Sequence, residues 1–290
     1  MEGNKTNINW YPGHMARARR EMTEAVKLVD VVVEIIDARI PISSRNPVLN
    51  EIIGKKPRVI VLNKSDLADK KQNQKWIDFY KKDNIVAVEV DSSHGNSVKN
   101  VTDAIYKLMS DKIEKHEQSG RVGASIKTMV VGIPNVGKST FINKIAGKQT
   151  TAVGNKPGVT RKNQWVRLNE KIQLLDTPGV LWPKFDNEQI ARHLAYIGTI
   201  KDEILDVDEL ALHLIEELMQ NHKKELFGRY KIDENFEYDM SYEIMDEIGR
   251  KRGCLVRGGE IDYTKVANIV LDEFRSGKIG LITLEEVNMK

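Results

Sequence analysis

The chain has 290 residues, of which 40% are hydrophobic and 30% charged, with a formal net charge of +3. That composition fits a soluble chain of one large or two smaller domains, and it permits a nucleic-acid partner without requiring one. The single cysteine, Cys254, excludes an internal disulfide framework and a cysteine-built zinc site, while the polar start and the lack of a long apolar run predict a cytoplasmic protein with no membrane partner.

Residues 14–29 carry apolar positions at helical spacing with a basic opposite face, just after a Pro-Gly turn, and predict a helix. The β-branched runs at 31–37, 58–63 and 85–90 predict buried strands. A polar helix over 69–82 separates the last two, and a longer helix is expected over 97–117. A Gly/Ser linker at 118–126 leads to another strand at 127–133, a glycine-rich loop and a helix near 138–146. The segments QWVRL and KIQLLD predict a hairpin around Asn169 and Glu170. Near-continuous apolar strands alternating with helices imply a mostly parallel sheet covered on both faces. From about residue 186 strand-like runs largely stop. Three segments, beginning at Val207, Ser241 and Tyr263, show helical periodicity instead, the last two ending at glycine.

The stretch GIPNVGKST, residues 132–140, fits the G-x4-G-K-[ST] pattern, with the strand before it and the helix after it that the pattern requires. Its glycines let backbone N–H groups of the loop, including Asn135, Val136, Gly137 and Thr140, turn toward anionic oxygens. Lys138 would reach the outer phosphates and Ser139 would ligate Mg²⁺. Downstream, LLDTPG places Asp176 at the end of an apolar strand, where a carboxylate holds a metal, with Gly179 suited to sense a γ-phosphate. Between them Thr160 offers a hydroxyl to complete the metal shell. A second motif, Asn63-Lys64-x-Asp66, follows a strand. A carboxylate there pairs with the N1–H and 2-amino group of guanine, donors that adenine lacks, which favours guanine by factors on the order of 10⁴. The loop near Ser92 either meets the base or is a plain turn.

The guanine motif precedes the phosphate loop, the reverse of the usual nucleotide-switch order, so the chain reads as a circular permutation. The 118–126 linker would join the old ends, and the new end would fall just after DTPG. The switch would then feed directly into the helical region. The fold class is therefore expected to be α/β. A circularly permuted P-loop GTPase domain would cover 1–185, followed by a small helical domain over 186–290.

These motifs, with NWYPGHMARARREM at the start, DARIP at 37–41 and DEFRSGKIGLITLE at 272–286, resemble the circularly permuted bacterial ribosome-assembly GTPases of the YlqF/RbgA type over nearly the whole chain. The resemblance implies GTP as substrate with Mg²⁺, hydrolysis coupled to late maturation of the large ribosomal subunit, and contact with its rRNA. A monomer is the expected state. Readings of a different kind are a GTP-gated rRNA-binding scaffold with negligible turnover and a P-loop ATPase in which NKSD is incidental.

Val180 follows Gly179 where Ras-like enzymes carry a water-orienting glutamine, so slow intrinsic hydrolysis is expected and another group must place the water. Asn135 either ligates a K⁺ beside the phosphates, as in cation-dependent GTPases, or stabilises its own turn. His14 either orients water or is satisfied at its helix N-terminus. Arg17, Arg19 and Arg20 on the first helix, and Arg250, Lys251, Arg252 and Arg257 in GRKRGCLVRGG, are expected to face RNA. The histidines other than His14 are expected to be structural or at the surface.

Overall fold

A computed structural model describes residues 12–81, 84–92, 98–119, 125–147, 164–177, 187–200 and 202–287. Helix α1 (Pro12–Lys27) leads into β1 (Val31–Asp37), α2 (Pro47–Ile53), β2 (Arg58–Asn63), α3 (Lys70–Tyr80) and β3 (Ile85–Val90). Then come α4 (Val98–Leu108), α5 (Ser110–Gln118), β4 (Ile126–Val131), α6 (Lys138–Ile145), β5 (Gln164–Arg167) and β6 (Ile172–Asp176). The remaining elements are helices: α7 (Glu188–Tyr196), α8 (Val207–Asn221), α9 (Lys223–Tyr230), α10 (Ser241–Arg252) and α11 (Tyr263–Arg275).

The six strands lie in the order β3-β2-β1-β4-β6-β5. All neighbours are parallel except the β5–β6 hairpin. Every residue of β1 is buried, as is every residue of β2, which is why these strands are near-continuous apolar runs and not alternating ones; the exception inside β1, Glu34, is paired with Arg58 and Arg45. On one face Val32, Met129, Val131 and Leu175 pack under α1 and α2 through Met22, Ala25, Val26 and Leu49, while Ile36, Ile60 and Leu62 pack with Trp76 and Tyr80 of α3. On the other face Val31, Val33, Ile35, Val59 and Val61 meet α4 and α6. That apolar cluster continues into the helices after residue 187, through Leu194, Leu214, Phe227 and Phe274.

The expected 97–117 helix is two helices, broken at Met109, whose backbone leaves the helical region (φ −110°, ψ 13°) while its side chain stays buried. Helices α2, α7 and α9 carried no sequence expectation. The first is short and opens on proline at its first turn behind the Asn46 cap, so its periodicity was too brief to register. Among the described residues no helix is long and apolar enough to cross a membrane.

The chain runs outward from β1 through β2 to β3, then returns to the opposite side of β1 with β4. The strand order therefore reverses between β1 and β4. Open parallel sheets bind ligands at such a point, beyond the carboxyl ends of the strands. The carboxyl ends of β1, β2, β4 and β6 carry Asp37, Asn63, the glycine loop and Asp176.

Candidate nucleotide site

The loop after β4 is forced to be glycine at two places by close backbone approach. A Cβ on Gly132, at φ +155°, would lie 2.5 Å from the carbonyl oxygen of Ile35 in β1. A Cβ on Gly137, at φ +94°, would lie 2.4 Å from Nδ2 of Asn63. With Asn135 also left-handed at φ 63°, the loop curls around an axis ending at the N-terminus of α6, an arrangement that turns backbone N–H groups and the positive end of the helix dipole toward an anion. Ser139 and Thr140 occupy the first turn of α6, half-buried.

The guanine motif is wired to this loop. Asn63 donates from Nδ2 to the carbonyl of Val136 at 2.7 Å, and its Oδ1 accepts from the buried Ser92 hydroxyl at 2.6 Å. Lys64, left-handed at φ 57°, sends Nζ to the carbonyl of Asn135 at 2.9 Å. Asp66 lies in the short 3₁₀ turn Ser65–Leu67 that follows. Thus Asn63, Lys64, Ser92, Asn135, Val136 and Gly137, singled out in separate stretches of sequence, stand together. Ser92 acts here through Asn63, orienting its amide.

Asp37, at the end of β1, anchors the cluster. Its carboxylate pairs with the Arg39 guanidinium through two bonds, Nε at 2.9 Å and Nη2 at 2.8 Å, and with Lys64 Nζ at 3.1 Å. Burial alone would push this carboxyl up, but the Arg39 and Lys64 charges outweigh it and hold it well below the usual carboxylate range. Burial pulls the Lys64 ammonium down against the opposing pull of Asp37. Arg39 itself reaches on to the carbonyls of Phe274 and Arg275 at the C-terminus of α11, where a cation complements the helix dipole.

Asp176, at the end of β6, is fully buried, and neither carboxylate oxygen has a hydrogen-bond partner among the described residues. Burial raises its carboxyl to about 6, with Lys138 opposing. Lys138 is buried too. Its Nζ donates back to the Ile133 carbonyl at 3.0 Å, and burial lowers it to about 8 against the attraction of Asp176. A buried carboxylate with both oxygens unpaired is suited to a hydrated hard cation, and an under-paired buried ammonium suits anionic oxygens. The residues present fit Mg²⁺ and phosphate.

Gly179 and Thr160, and with them Val180, lie outside the described residues. The backbone of His14 belongs to the first turn of α1, but its side chain is not among those described. Arg17, Arg19 and Arg20 are exposed on α1, the first two in ion pairs with Glu21 and Glu51. Arg250 and Lys251 are exposed in the last turn of α10, in ion pairs with Asp246 and Glu247, and Arg257 is exposed beyond it. Arg252 is committed inward: its Nη2 bonds both oxygens of Glu273, which Arg229 also holds, and its guanidinium lies 5.0 Å from the Tyr230 ring centroid.

Sequence reasoning missed Asp37 and Arg39 as partners of the guanine loop, although DARIP had been noted as part of the resemblance; an ionisable pair at the mouth of an apolar strand was the available signal. It also treated His193 only as a structural or surface residue. His193 is buried, with Nε2 2.7 Å from Glu217 Oε1 and Nδ1 2.9 Å from Glu285 Oε1 and 3.2 Å from the Ser43 hydroxyl. Burial would lower its pKa, but the bonds to Glu217 and Glu285 reverse this and raise it to about 9. Glu285 also accepts from the backbone N–H of Ser43, so the clasp joins the chain's C-terminal stretch, α7, α8 and the loop after β1. No periodicity or motif links those four positions.

A family model described as 50S ribosome-binding GTPase matches residues 127–238. The chain is 44% identical to Ribosome biogenesis GTPase A of Priestia megaterium, over 96% of each chain. It is 44% identical to Ribosome biogenesis GTPase A of Bacillus cereus, over 96% of this chain and 93% of that one. The solved structure of GNP-bound YlqF from T. maritima is similar with a TM-score of 0.63 and 27% identity, covering 93% of this chain and 98% of that one. Guanine loop before phosphate loop, both at one switch point of the sheet, is thus a permuted GTPase core, and the chain is a GTP-hydrolysing member of the ribosome biogenesis GTPase A family.

Proposed function

We propose that the protein hydrolyses GTP during late assembly of the large ribosomal subunit and that the ribosomal particle completes its catalytic site. The observation that carries this reading is a base-and-phosphate site already wired together, through Asn63–Val136 and Lys64–Asn135, beside a sequence that supplies Val180 where a water-orienting glutamine would stand. Binding is provided for, whereas a side chain at position 180 able to orient the attacking water is not. The description 50S ribosome-binding GTPase attached to the matching family model, and the name of the relatives, support the ribosome as partner.

The roles divide as follows. Asp66 accepts from guanine, with Asn63, Lys64 and Ser92 fixing its loop. The amides of residues 135–137 and 140 and the Lys138 ammonium hold phosphate oxygens, Lys138 leaving the Ile133 carbonyl to do so. Ser139, Thr160 and Asp176 would hold Mg²⁺, which would screen the phosphate charge. The Gly179 amide senses the γ-phosphate. Asn135 offers its amide oxygen to a K⁺ that adds positive charge beside the phosphates, and His14 places the water. On the helical region, Arg250, Lys251 and Arg257 lie among exposed Tyr242, Leu255, Val256 and Tyr263, a mix of cations and flat apolar groups that suits rRNA phosphates and unstacked bases. Arg17, Arg19 and Arg20 extend the basic surface on α1; Arg252, already paired, shapes this face from beneath. The protein acts as a monomer in the cytoplasm.

The test is GTP turnover in K⁺ buffer with and without large ribosomal subunits, with Na⁺ and ATP as controls. Strong stimulation by the subunit, K⁺ dependence and no turnover of ATP are expected. Tight GTP binding with no stimulation would replace this reading by a nucleotide-gated scaffold whose turnover serves no particle-dependent step.

A further inference from the structure

The helical region touches both nucleotide loops. Ile282 N–H donates to the Leu67 carbonyl at 3.2 Å and the Thr283 hydroxyl accepts from Asp69 N–H at 3.1 Å, beside the guanine motif. At the phosphate loop the contact is made by the turn after α7. The Thr199 hydroxyl, fully buried, donates to the carbonyl of Pro134 at 3.2 Å, and the side-chain amide of Asn135 donates to the carbonyl of Gly198. Both bonds land on consecutive phosphate-loop residues.

The turn is held in place from behind. Gly198 is left-handed at φ +73° and lies against the Arg275 guanidinium. Arg275 caps α7 by donating to the carbonyls of Ala195 and Tyr196, both at 2.9 Å, and pairs with both oxygens of Asp202 at 2.7 Å. Arg275 ends α11, and the carbonyls at that end are held by Arg39, the partner of Asp37. Polar contacts thus tie the phosphate loop to the turn through Thr199 and Asn135, the end of α7 behind that turn to Arg275, and the end of α11 through Arg39 to Asp37 and Lys64, which returns to Asn135.

We propose that Thr199 is a positioning residue for the phosphate loop. Its bond to Pro134, with the Gly198–Asn135 bond beside it, makes occupancy of the phosphate loop and seating of the α7 turn energetically linked. A nucleotide that fixes residues 134–137 fixes the carbonyl that Thr199 needs. By reciprocity the turn biases nucleotide affinity by the same factor. This route is separate from the covalent one through residues 178–186.

The test compares Thr199→Val, which keeps shape and loses the donor, with Thr199→Ser, which keeps the hydroxyl. Affinities for GDP and for a non-hydrolysable GTP analogue are measured with KM and kcat. One lost buried hydrogen bond should weaken nucleotide binding about five- to tenfold. The effect should fall on KM, with kcat changed less than about twofold, and the serine variant should restore it. Unchanged affinity in a normally melting Thr199→Val protein would overturn the proposal, as would failure of the serine to rescue. Hydrogen exchange on the unaltered protein stands independently of whether the variants fold: amides of residues 195–200 should change protection when GDP saturates the site, and identical exchange with and without GDP would also overturn it.

Discussion

Asp37 and Asp176 sit at equivalent places, each at the carboxyl end of a parallel strand flanking β4, and each is completely buried. Their surroundings are opposite. Asp37 is paired on both oxygens by Arg39 and Lys64, whereas Asp176 has no hydrogen-bond partner for either oxygen among the described residues. The first carboxyl is held far down and the second is raised to about 6. The difference separates a charge whose partners the fold supplies from a charge the fold leaves unpaired. A fold can bury an ion at low cost when it supplies the countercharge itself; where it does not, the unpaired charge marks the position a ligand will occupy.

The largest effect on stability should come from breaking the paired carboxylate. Asp37→Ala leaves the buried Arg39 and the half-buried Lys64 without their carboxylate and should cost about 3–5 kcal/mol, read as a lower urea midpoint. It should also loosen the guanine loop, since Lys64 loses the partner that directs it to Asn135. A cost under about 1 kcal/mol would mean that backbone contacts alone hold the cluster, and the contrast with Asp176 would lose its basis.

His193 extends the comparison to the joint between α7, α8 and the loop after β1. Like Asp37 it is a buried charge with its partners built in. Glu217, Glu285 and the Ser43 hydroxyl face it, and the Tyr196 ring lies 6.0 Å away. Its pKa is raised from 6.5 to about 9, so its contribution is fully present below about 6.5 and is lost as pH rises through about 9. Urea stability should fall over that window by on the order of 3 kcal/mol, and His193→Gln should flatten the decline. A His193→Gln profile parallel to that of the parent protein would remove the clasp from this argument.

A smaller loss is expected at the contact between the two loops. Gly137→Ala forces a Cβ toward Asn63 Nδ2 and keeps a left-handed φ of +94°. The combined strain and the broken Asn63–Val136 bond should cost about 1–2 kcal/mol and weaken both GDP and GTP binding in calorimetric titration. Normal nucleotide affinity in this variant would show that the wiring between the loops is dispensable.

The legibility of this site in the sequence followed the same division. Local chemistry was readable: glycines where backbones approach, a lysine at the start of α6, an Asn-Lys-x-Asp turn after an apolar strand. Each requirement is met within a few residues, so it leaves a pattern. The central strands were readable because burial on both faces gives near-continuous apolar runs; β3, expected to be buried like them, is an edge strand and mostly half-buried. The long-range partners were not. Arg39 meets Phe274 and Arg275 more than two hundred residues away, and Ser43, His193, Glu217 and Glu285 converge from four elements. Such clusters impose no spacing on the chain, and each member alone looks like an ordinary surface residue. Arg252 illustrates the converse, a basic residue in a basic run that the fold spends on Glu273.

Asp176→Asn should shift stability by no more than Gly137→Ala does, and in the opposite direction. At pH 7 the aspartate is ionised at a site where burial penalises that charge, so a neutral amide of the same shape should stabilise the metal-free protein by about 1–2 kcal/mol. The gain is limited because Lys138 loses its nearest countercharge, and the new amide nitrogen brings donors where only acceptors are wanted. Chelation then separates stability from function. Removing Mg²⁺ should lower the nucleotide-bound melting temperature of the parent protein while leaving that of Asp176→Asn almost unchanged, and the variant should lose GTP turnover despite its firmer fold. The opposite pair of results, a destabilised apo variant that still responds to Mg²⁺, would make Asp176 a second Asp37: a carboxylate the fold needs for itself, with the metal held elsewhere.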